Sequence, residues 1–181
     1  MIVVTISGKA EAGKDFTASI LKEKLEAMGK KVLIVHYADY LKFLAKQYFG
    51  WDGTKSEEGR RILQWLGTDL VRNRQPDFWV DTVCRLLSVL YEDYDFALIP
   101  DCRFPNEIDK MKMCFTDTVS LRVGRLNHDN ALTPQQRYHP SETALDNYEG
   151  IDYSFSAESG REFVEHEVYK FIEFLHMRRM I

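Results

Sequence analysis

Short, unbroken apolar runs alternate along this chain with longer stretches in which apolar residues return every third or fourth position. "IVVTIS" at 2–7 is β-branched and apolar, and Phe16, Ile20, Leu21, Leu25 and Met28 then fall at helical spacing before Gly29, which suits a helix C-terminus. "KVLIVHY" at 31–37 reads as a second apolar strand, followed by an amphipathic helix through Leu41, Leu44, Ala45 and Tyr48 that stops at Gly50. From Ser56 to Tyr91 the pattern is helical throughout. Ser56 with Glu57 and Glu58 makes a helix start, Ile62, Trp65, Leu66 and Leu70 form a stripe, and Pro76 opens a further helix carrying Trp79, Val80, Val83, Leu86, Leu87 and Leu90.

Strands resume with "FALIP" at 96–100 and "TVSLRV" at 118–123, with a helix between them around Ile108 to Met113. The segment 125–150 is polar and loop-rich, although Thr133-Pro134-Gln135-Gln136 has the letters of a capping box; it reads as a mobile flap. A short strand near Tyr153 to Phe155 precedes a last helix from Ser159, with Glu162 completing another capping box and Phe163, Val164, Val168, Phe171, Ile172 and Leu175 as its apolar positions. Apolar strands alternating with helices predict an α/β fold: a parallel sheet with helices on both faces, interrupted by one helical insertion.

The turn after the first strand carries the chemistry. Gly8-Lys9-Ala10-Glu11-Ala12-Gly13-Lys14 matches GxxxxGK, with a hydrophobic strand immediately before it and an amphipathic helix immediately after. Small residues at 8, 12 and 13 let the backbone curl so that amides between residue 8 and Phe16 face one anion, while Lys14 offers a point charge to the β and γ phosphates. Asp15 stands where a hydroxyl usually ligates magnesium. It either binds that hard cation through oxygen or caps the helix and touches the metal through water, leaving Thr17 as a less well-placed hydroxyl.

Composition narrows the class of ligand. A net charge of −4 with 29% charged residues lacks the basic excess that nucleic-acid polymers and anionic membranes select, so small molecules are the expected partners. No run approaches the roughly 20 apolar residues of a membrane span and the first residues form no secretion signal, so the cytosol is the expected compartment. At 181 residues without linkers or repeats the chain suits a single domain over 1–181, working as a monomer or homodimer. Three cysteines and five histidines form no metal-ligand spacing.

Other residues are candidates by position. Asp101 ends the third apolar strand, where α/β sheets bind ligands; it holds a magnesium-bound water, orients an acceptor phosphate, or is a solvent-facing loop acid. Arg103 reaches the same crevice with a guanidinium suited to phosphate, or forms a surface ion pair. Arg61, Trp65, Thr68 and Arg72 recur at four, three and four residues, which places two cations and an indole on one helical face, either for a phosphorylated acceptor with a flat base or as the rim of the core. Asp39 reads a polar group of the acceptor or caps its helix. Arg125 and Arg137 in the flap are placed to close over a transferring phosphoryl group. His139 and Glu142 in "HPSET" receive no role.

The stretches "SGKAEAGKD" (7–15), "GTDLVRNRQPDFWV" (67–80), "PDCRFPNEID" (100–109) and "HPSET" (139–143) resemble the small P-loop nucleoside and deoxynucleoside monophosphate kinases, most closely those of phage type. Asp after the loop lysine looks like a habit of that branch. The resemblance implies a three-layer α/β/α P-loop fold around a five-stranded parallel sheet in order 2-3-1-4-5, an acceptor-binding insertion at 56–91 and a lid at 125–150. It also implies ATP and Mg²⁺, with magnesium near Asp15 and Asp101. "SGKAEAGKDF" with "LDNYEGIDYSF" (145–155) is similar to animal-type phosphomevalonate kinase, a second substrate class for the same scaffold. A GTP-controlled switch fits less well, since the nearest approach to its NKxD segment is "TKSE" at 54–57.

Overall fold

The computed structural model of the protein describes residues 1–54, 56–126 and 132–181. Residues 127–131 of the expected lid, and Lys55 of the "TKSE" stretch, lie outside the described residues. Five strands, β1 (Ile2–Ser7), β2 (Val32–Ile34), β3 (Phe96–Cys102), β4 (Thr118–Arg125) and β5 (Tyr153–Ala157), form one sheet in the order β2-β3-β1-β4-β5. Every pair in it is parallel, as apolar strands separated by helical crossovers require. The register sets Ser7 beside Cys102 on one side and Arg122 on the other, so the residues that follow β1 and β3 leave the sheet at one rim.

Side chains alternate across the sheet and define two cores. On one face Val4, Ile6, Leu98 and Leu121 meet Ile20, Leu21 and Leu25 of α1 (Lys14–Ala27) and Val168, Phe171 and Leu175 of α8 (Arg161–Met177). On the other, Val3, Ala97 and Ile99 meet Val80, Val83 and Leu87 of α4 (Phe78–Val89) and Ile108 and Met111 of α5 (Pro105–Cys114). Each fully buried Leu or Ile contributes about 1.5–3 kcal/mol, so two such layers hold the strand ends rigidly in place. A third, smaller cluster of Ala45, Trp51 and Leu66 joins α2 (Ala38–Tyr48) to the insertion, which contains α3 (Glu57–Gln64) and a π-helical stretch, Trp65–Arg72.

Among the boundaries that differ from the sequence expectation, three have a clear local reason. β2 stops at Ile34 although the apolar run continues to Tyr37, because the N–H groups of Tyr37 and Ala38 turn to the carboxylate of Asp101. α4 starts at Phe78, two residues beyond Pro76, with the N–H of Phe78 held by the carbonyl of Gln75. α8 starts at Arg161 after Gly160, and Ser159 does not cap it: the Ser159 hydroxyl accepts from Arg125 at 2.7 Å instead. The expected flap contains α6 (Pro134–Arg137) and α7 (Pro140–Thr143), and the reciprocal bonds between Thr133 and Gln136 close the capping box read from the sequence. Its second half is anchored, since Leu145, Tyr148 and Ile151 pack onto the core under α5.

Candidate active site

The turn between β1 and α1 is bent where its glycines stand. Gly8 has φ +153° and Gly13 φ +87°, and a β-carbon on Gly8 would lie 2.3 Å from the carbonyl oxygen of Val123 in β4. The Lys14 ammonium lies back over the loop, donating to the carbonyls of Gly8 at 3.0 Å and Lys9 at 2.9 Å. Burial, with the nearby Arg103 guanidinium second, lowers the Lys14 pKa to about 8, against the opposing pull of Glu142, Asp15 and Asp101. This is a desolvated cation held at a helix N-terminus, an arrangement that attracts polyphosphate.

Beside the loop, β3 delivers a network that ties the insertion to the rim. Asp101 lies within β3 and accepts the N–H groups of Tyr37 and Ala38 at 3.0 and 2.9 Å, which fixes the start of α2; burial pushes its carboxyl pKa up. Arg103 follows directly, with Nη1 3.4 Å from the Gly8 carbonyl and 2.7 Å from Glu142 Oε1. Glu107, 2% exposed, accepts the N–H of Arg103 at 2.6 Å and of Phe104 at 3.0 Å on Oε2, while Oε1 lies 2.6 Å from Arg72 Nη2. Burial raises the Glu107 pKa, with the Arg72 charge opposing. The Arg72 guanidinium also stacks on the Phe104 ring, 3.8 Å from its centroid. Arg72, Arg103 and Asp101 border a cavity of about 220 Å³ whose apolar walls include Leu41, Leu63, Trp79 and Phe104.

The segment around α7 also contacts the loop. His139 caps α7, its Nδ1 accepting the N–H of Ser141 at 3.2 Å, and Pro140 takes the first helical position. Glu142 Oε2 then accepts the N–H of Ala10 at 2.8 Å, and Lys9 reaches the carbonyl of Glu142 at 2.6 Å as well as the carboxylate of Asp146. A cleft of about 610 Å³ runs beside these contacts, lined by Lys9, Arg103, Arg122, Ser141 and Glu142 among others.

The family model for deoxynucleotide monophosphate kinases matches residues 36–150. The chain belongs to this family. The match begins after the glycine loop, so loop and family are separate observations that agree, and with them the protein is a nucleotide-kinase phosphotransferase. Solved structures give the fold. The chain is similar to a Mycobacterium tuberculosis APS kinase in complex with AMPPNP and APS, at 11% identity and TM-score 0.56, covering 97% of each chain. It is similar also to the shikimate kinase of Bacteroides thetaiotaomicron, at 15% identity and TM-score 0.53, covering 97% of this chain and 98% of that one. No curated protein matches the chain in sequence.

In this deoxynucleotide monophosphate kinase family member the residues singled out from sequence fall into three groups. Lys14, Asp101, Arg103 and Arg72 converge on the loop and the smaller cavity. Arg61 and Trp65 do not share that face: they line a different groove with Gln136 and His139, where Trp65 packs edge-on against Phe49 and the Arg61 side chain is 78% exposed beside Glu58. The cause is the π-helix, whose i→i+5 bonding, as from Asn73 N–H to the Thr68 carbonyl at 3.1 Å, rotates Thr68 and Arg72 away from the α-helical stripe. Trp79 holds that geometry by donating its indole N–H to the Gly67 carbonyl at 2.9 Å. The third group sits at the edges. Asp39 accepts the N–H of His36 at 3.1 Å, Arg125 lies 3.5 Å from the Glu11 carbonyl, and Arg137 donates to the Leu132 carbonyl at 3.1 Å. Thr17 is buried in α1 at 1% exposure, which removes its hydroxyl from the cleft. Asp15 is 75% exposed and lies 3.0 Å from His36 Nε2. The reading of the sequence missed Glu107, six residues beyond Asp101 in "DCRFPNE", and left Glu142 without a role.

Proposed function

We propose that the protein transfers the γ-phosphoryl group of ATP to a deoxynucleoside monophosphate. ATP binds with its phosphates on the amides of Gly8–Phe16, and the acceptor enters the cavity between β3 and the insertion. The observation that carries this reading is Arg103, which borders both spaces: it lies 3.4 Å from the Gly8 carbonyl of the loop and lines the cavity that holds Arg72 and Asp101. Its position suits a guanidinium that neutralises two phosphates as they approach. An acceptor phosphate oxygen forms the new bond to the γ-phosphorus, the bond from phosphorus to the β–γ bridging oxygen breaks, and ADP carries away that electron pair. Lys14 neutralises charge on the leaving side, and Arg125 and Arg137 are the flap cations available to join on closure.

Magnesium is fitted best as a water-bound ion. Among the described residues no group of three His, Cys, Asp or Glu side chains forms a metal cluster, and Mg²⁺ characteristically keeps its waters and takes one or two carboxylates with the substrate phosphates. Asp15, exposed beside Lys14, and Asp101, whose oxygens each retain a lone pair, are the residues that would hold it. Bound there, the ion supplies charge neutralisation of the phosphates.

The test is a screen of all common nucleoside and deoxynucleoside monophosphates, with phosphomevalonate as a further arm, followed as ADP release in ATP and Mg²⁺. Turnover with one or more deoxynucleotides, lost in Lys14→Ala and in Arg103→Ala, is expected. Turnover with phosphomevalonate alone, or with no acceptor, overturns the reading.

A further inference from the structure

The contact between Glu142 and the loop spans 132 residues of sequence and puts a carboxylate on groups that a phosphate needs. One oxygen takes the Ala10 N–H at 2.8 Å and the other the Arg103 guanidinium at 2.7 Å, while Lys14 Nζ rests on the adjacent carbonyls of Gly8 and Lys9. The Glu142 side chain is only 10% exposed, so the anion is seated between the cations and the loop. Its segment is latched at a second point, where Lys9 holds the Glu142 carbonyl and the Asp146 carboxylate.

Resting on the ATP-binding reading, we propose that Glu142 is a resident anion of the phosphate seat: it holds the Ala10 amide and the Arg103 guanidinium until a polyphosphate displaces it, so nucleotide binding and release of the 139–146 segment are one coupled event. The single Ala10 N–H cannot serve a carboxylate and a phosphoryl oxygen at once, and although the Arg103 fork has further N–H donors, two anions crowded to about 3 Å repel strongly, so a polyphosphate on the loop drives Glu142 off. Two consequences follow. The apparent affinity for ATP is reduced by the fraction of molecules in which Glu142 is seated. Displacement also frees Arg103 at the moment the acceptor needs it, so that a single exchange of anions prepares both halves of the site.

Calorimetric titration with ATP and Mg²⁺ on the full chain tests this in wild type, Glu142→Gln and Asp146→Asn, with inorganic tripolyphosphate as a second probe. Glu142→Gln keeps the shape and removes the charge, and is expected to bind both probes roughly tenfold more tightly, the size of one charge-assisted hydrogen bond. Asp146→Asn, which loosens the latch without touching the seat, is expected to tighten binding by a smaller factor. Amide hydrogen exchange over 140–146 should accelerate when ATP binds the wild type, a response that a purely structural glutamate would not give. Unchanged or weaker binding in both variants, or slower exchange over 140–146 with ATP, overturns the proposal. If Glu142→Gln does not fold, Asp146→Asn and the exchange experiment decide. Tighter binding in a protein that turns over no monophosphate keeps the displacement and removes the kinase reading; normal turnover with unaltered affinities does the reverse.

Discussion

Glu107 and Arg72 meet at 2.6 Å in a region where the carboxylate is 2% exposed and the guanidinium 13%, and the same carboxylate holds the backbone of Arg103. One side chain therefore sets the position of both arginines that flank the cavity proposed for the acceptor, one through its guanidinium and the other through its main chain. Glu107→Gln retains a single acceptor oxygen and turns an NH₂ toward either Arg72 or the N–H groups of Arg103 and Phe104. We expect a loss of about 2–4 kcal/mol in unfolding free energy, the range for breaking one partner of a buried pair. The KM for the acceptor should rise about tenfold or more and by a larger factor than ATP affinity falls, because Arg72 loses its partner directly whereas the glycine loop is reached only through Arg103. Denaturant unfolding and steady-state kinetics with each substrate varied measure the two effects.

Lys14 supplies a pH-dependent prediction. Its pKa falls from the ordinary 10.5 to about 8, chiefly through burial. Between those values the unfolded chain carries a proton that the folded chain has released, so folding is favoured increasingly as pH rises from about 8 to 10.5. Below about 8 both states are protonated and the cost of the buried charge is present in full. Lys14→Met removes this dependence along with turnover. The stability of wild type relative to Lys14→Met should therefore improve by up to about 3 kcal/mol between pH 7 and pH 10.5, the linkage value of the shift. Urea unfolding of both proteins across that range checks it, and parallel curves would show that Lys14 titrates normally.

The sheet and the loop are legible in the sequence because they rest on local patterns. "IVVTIS" is mostly apolar and β-branched, "FALIP" is apolar throughout, and GxxxxGK lies between a strand and a helix, so period and motif suffice. The acceptor side is legible only in part. Arg72 and Arg103 are found by residue type and position, but the separation of Arg61 and Trp65 from Arg72 depends on a π-helix. That helix is held by the Trp79 indole and by the close approach of Leu41 to Gly67, where a β-carbon would lie 2.9 Å from Cδ2. No spacing rule contains such a tertiary contact. Ser159 fails as a cap for a comparable reason, since Arg125, distant in sequence, takes its hydroxyl. Glu142 carries no local signal at all; its meaning lies in the 132 residues that separate it from Ala10.

The two faces of the insertion should separate kinetically. Arg72 lines the cavity proposed for the acceptor, whereas Arg61 and Trp65 line the groove shared with Gln136 and His139. Arg72→Ala is expected to raise acceptor KM or lower kcat/KM by about 10- to 100-fold, the range for losing a charged hydrogen-bonding contact. Arg61→Ala, removing a side chain that is 78% exposed, should change acceptor kcat/KM by less than about threefold. Equal losses in the two variants would place Arg61 in the acceptor site and show that the stripe read from α-helical spacing is the functional one.

The two glycines of the loop should respond differently to a methyl group. On Gly13 the backbone is left-handed at φ +87° but an added β-carbon meets nothing within 4 Å, so Gly13→Ala carries the conformational cost alone, about 1 kcal/mol. On Gly8 the same atom would lie 2.3 Å from the Val123 carbonyl oxygen, a backbone atom of β4 that cannot rotate away. Gly8→Ala has to part the loop from β4, which displaces the carbonyl on which both Lys14 and Arg103 rest. Thermal unfolding should therefore show a small loss for Gly13→Ala and a loss of several kcal/mol for Gly8→Ala. ATP titration should show binding retained in weakened form by Gly13→Ala and abolished in Gly8→Ala. Equal, mild effects at the two positions would mean that the loop yields at Gly8, and that the seat described for Lys14 and Arg103 is not rigid.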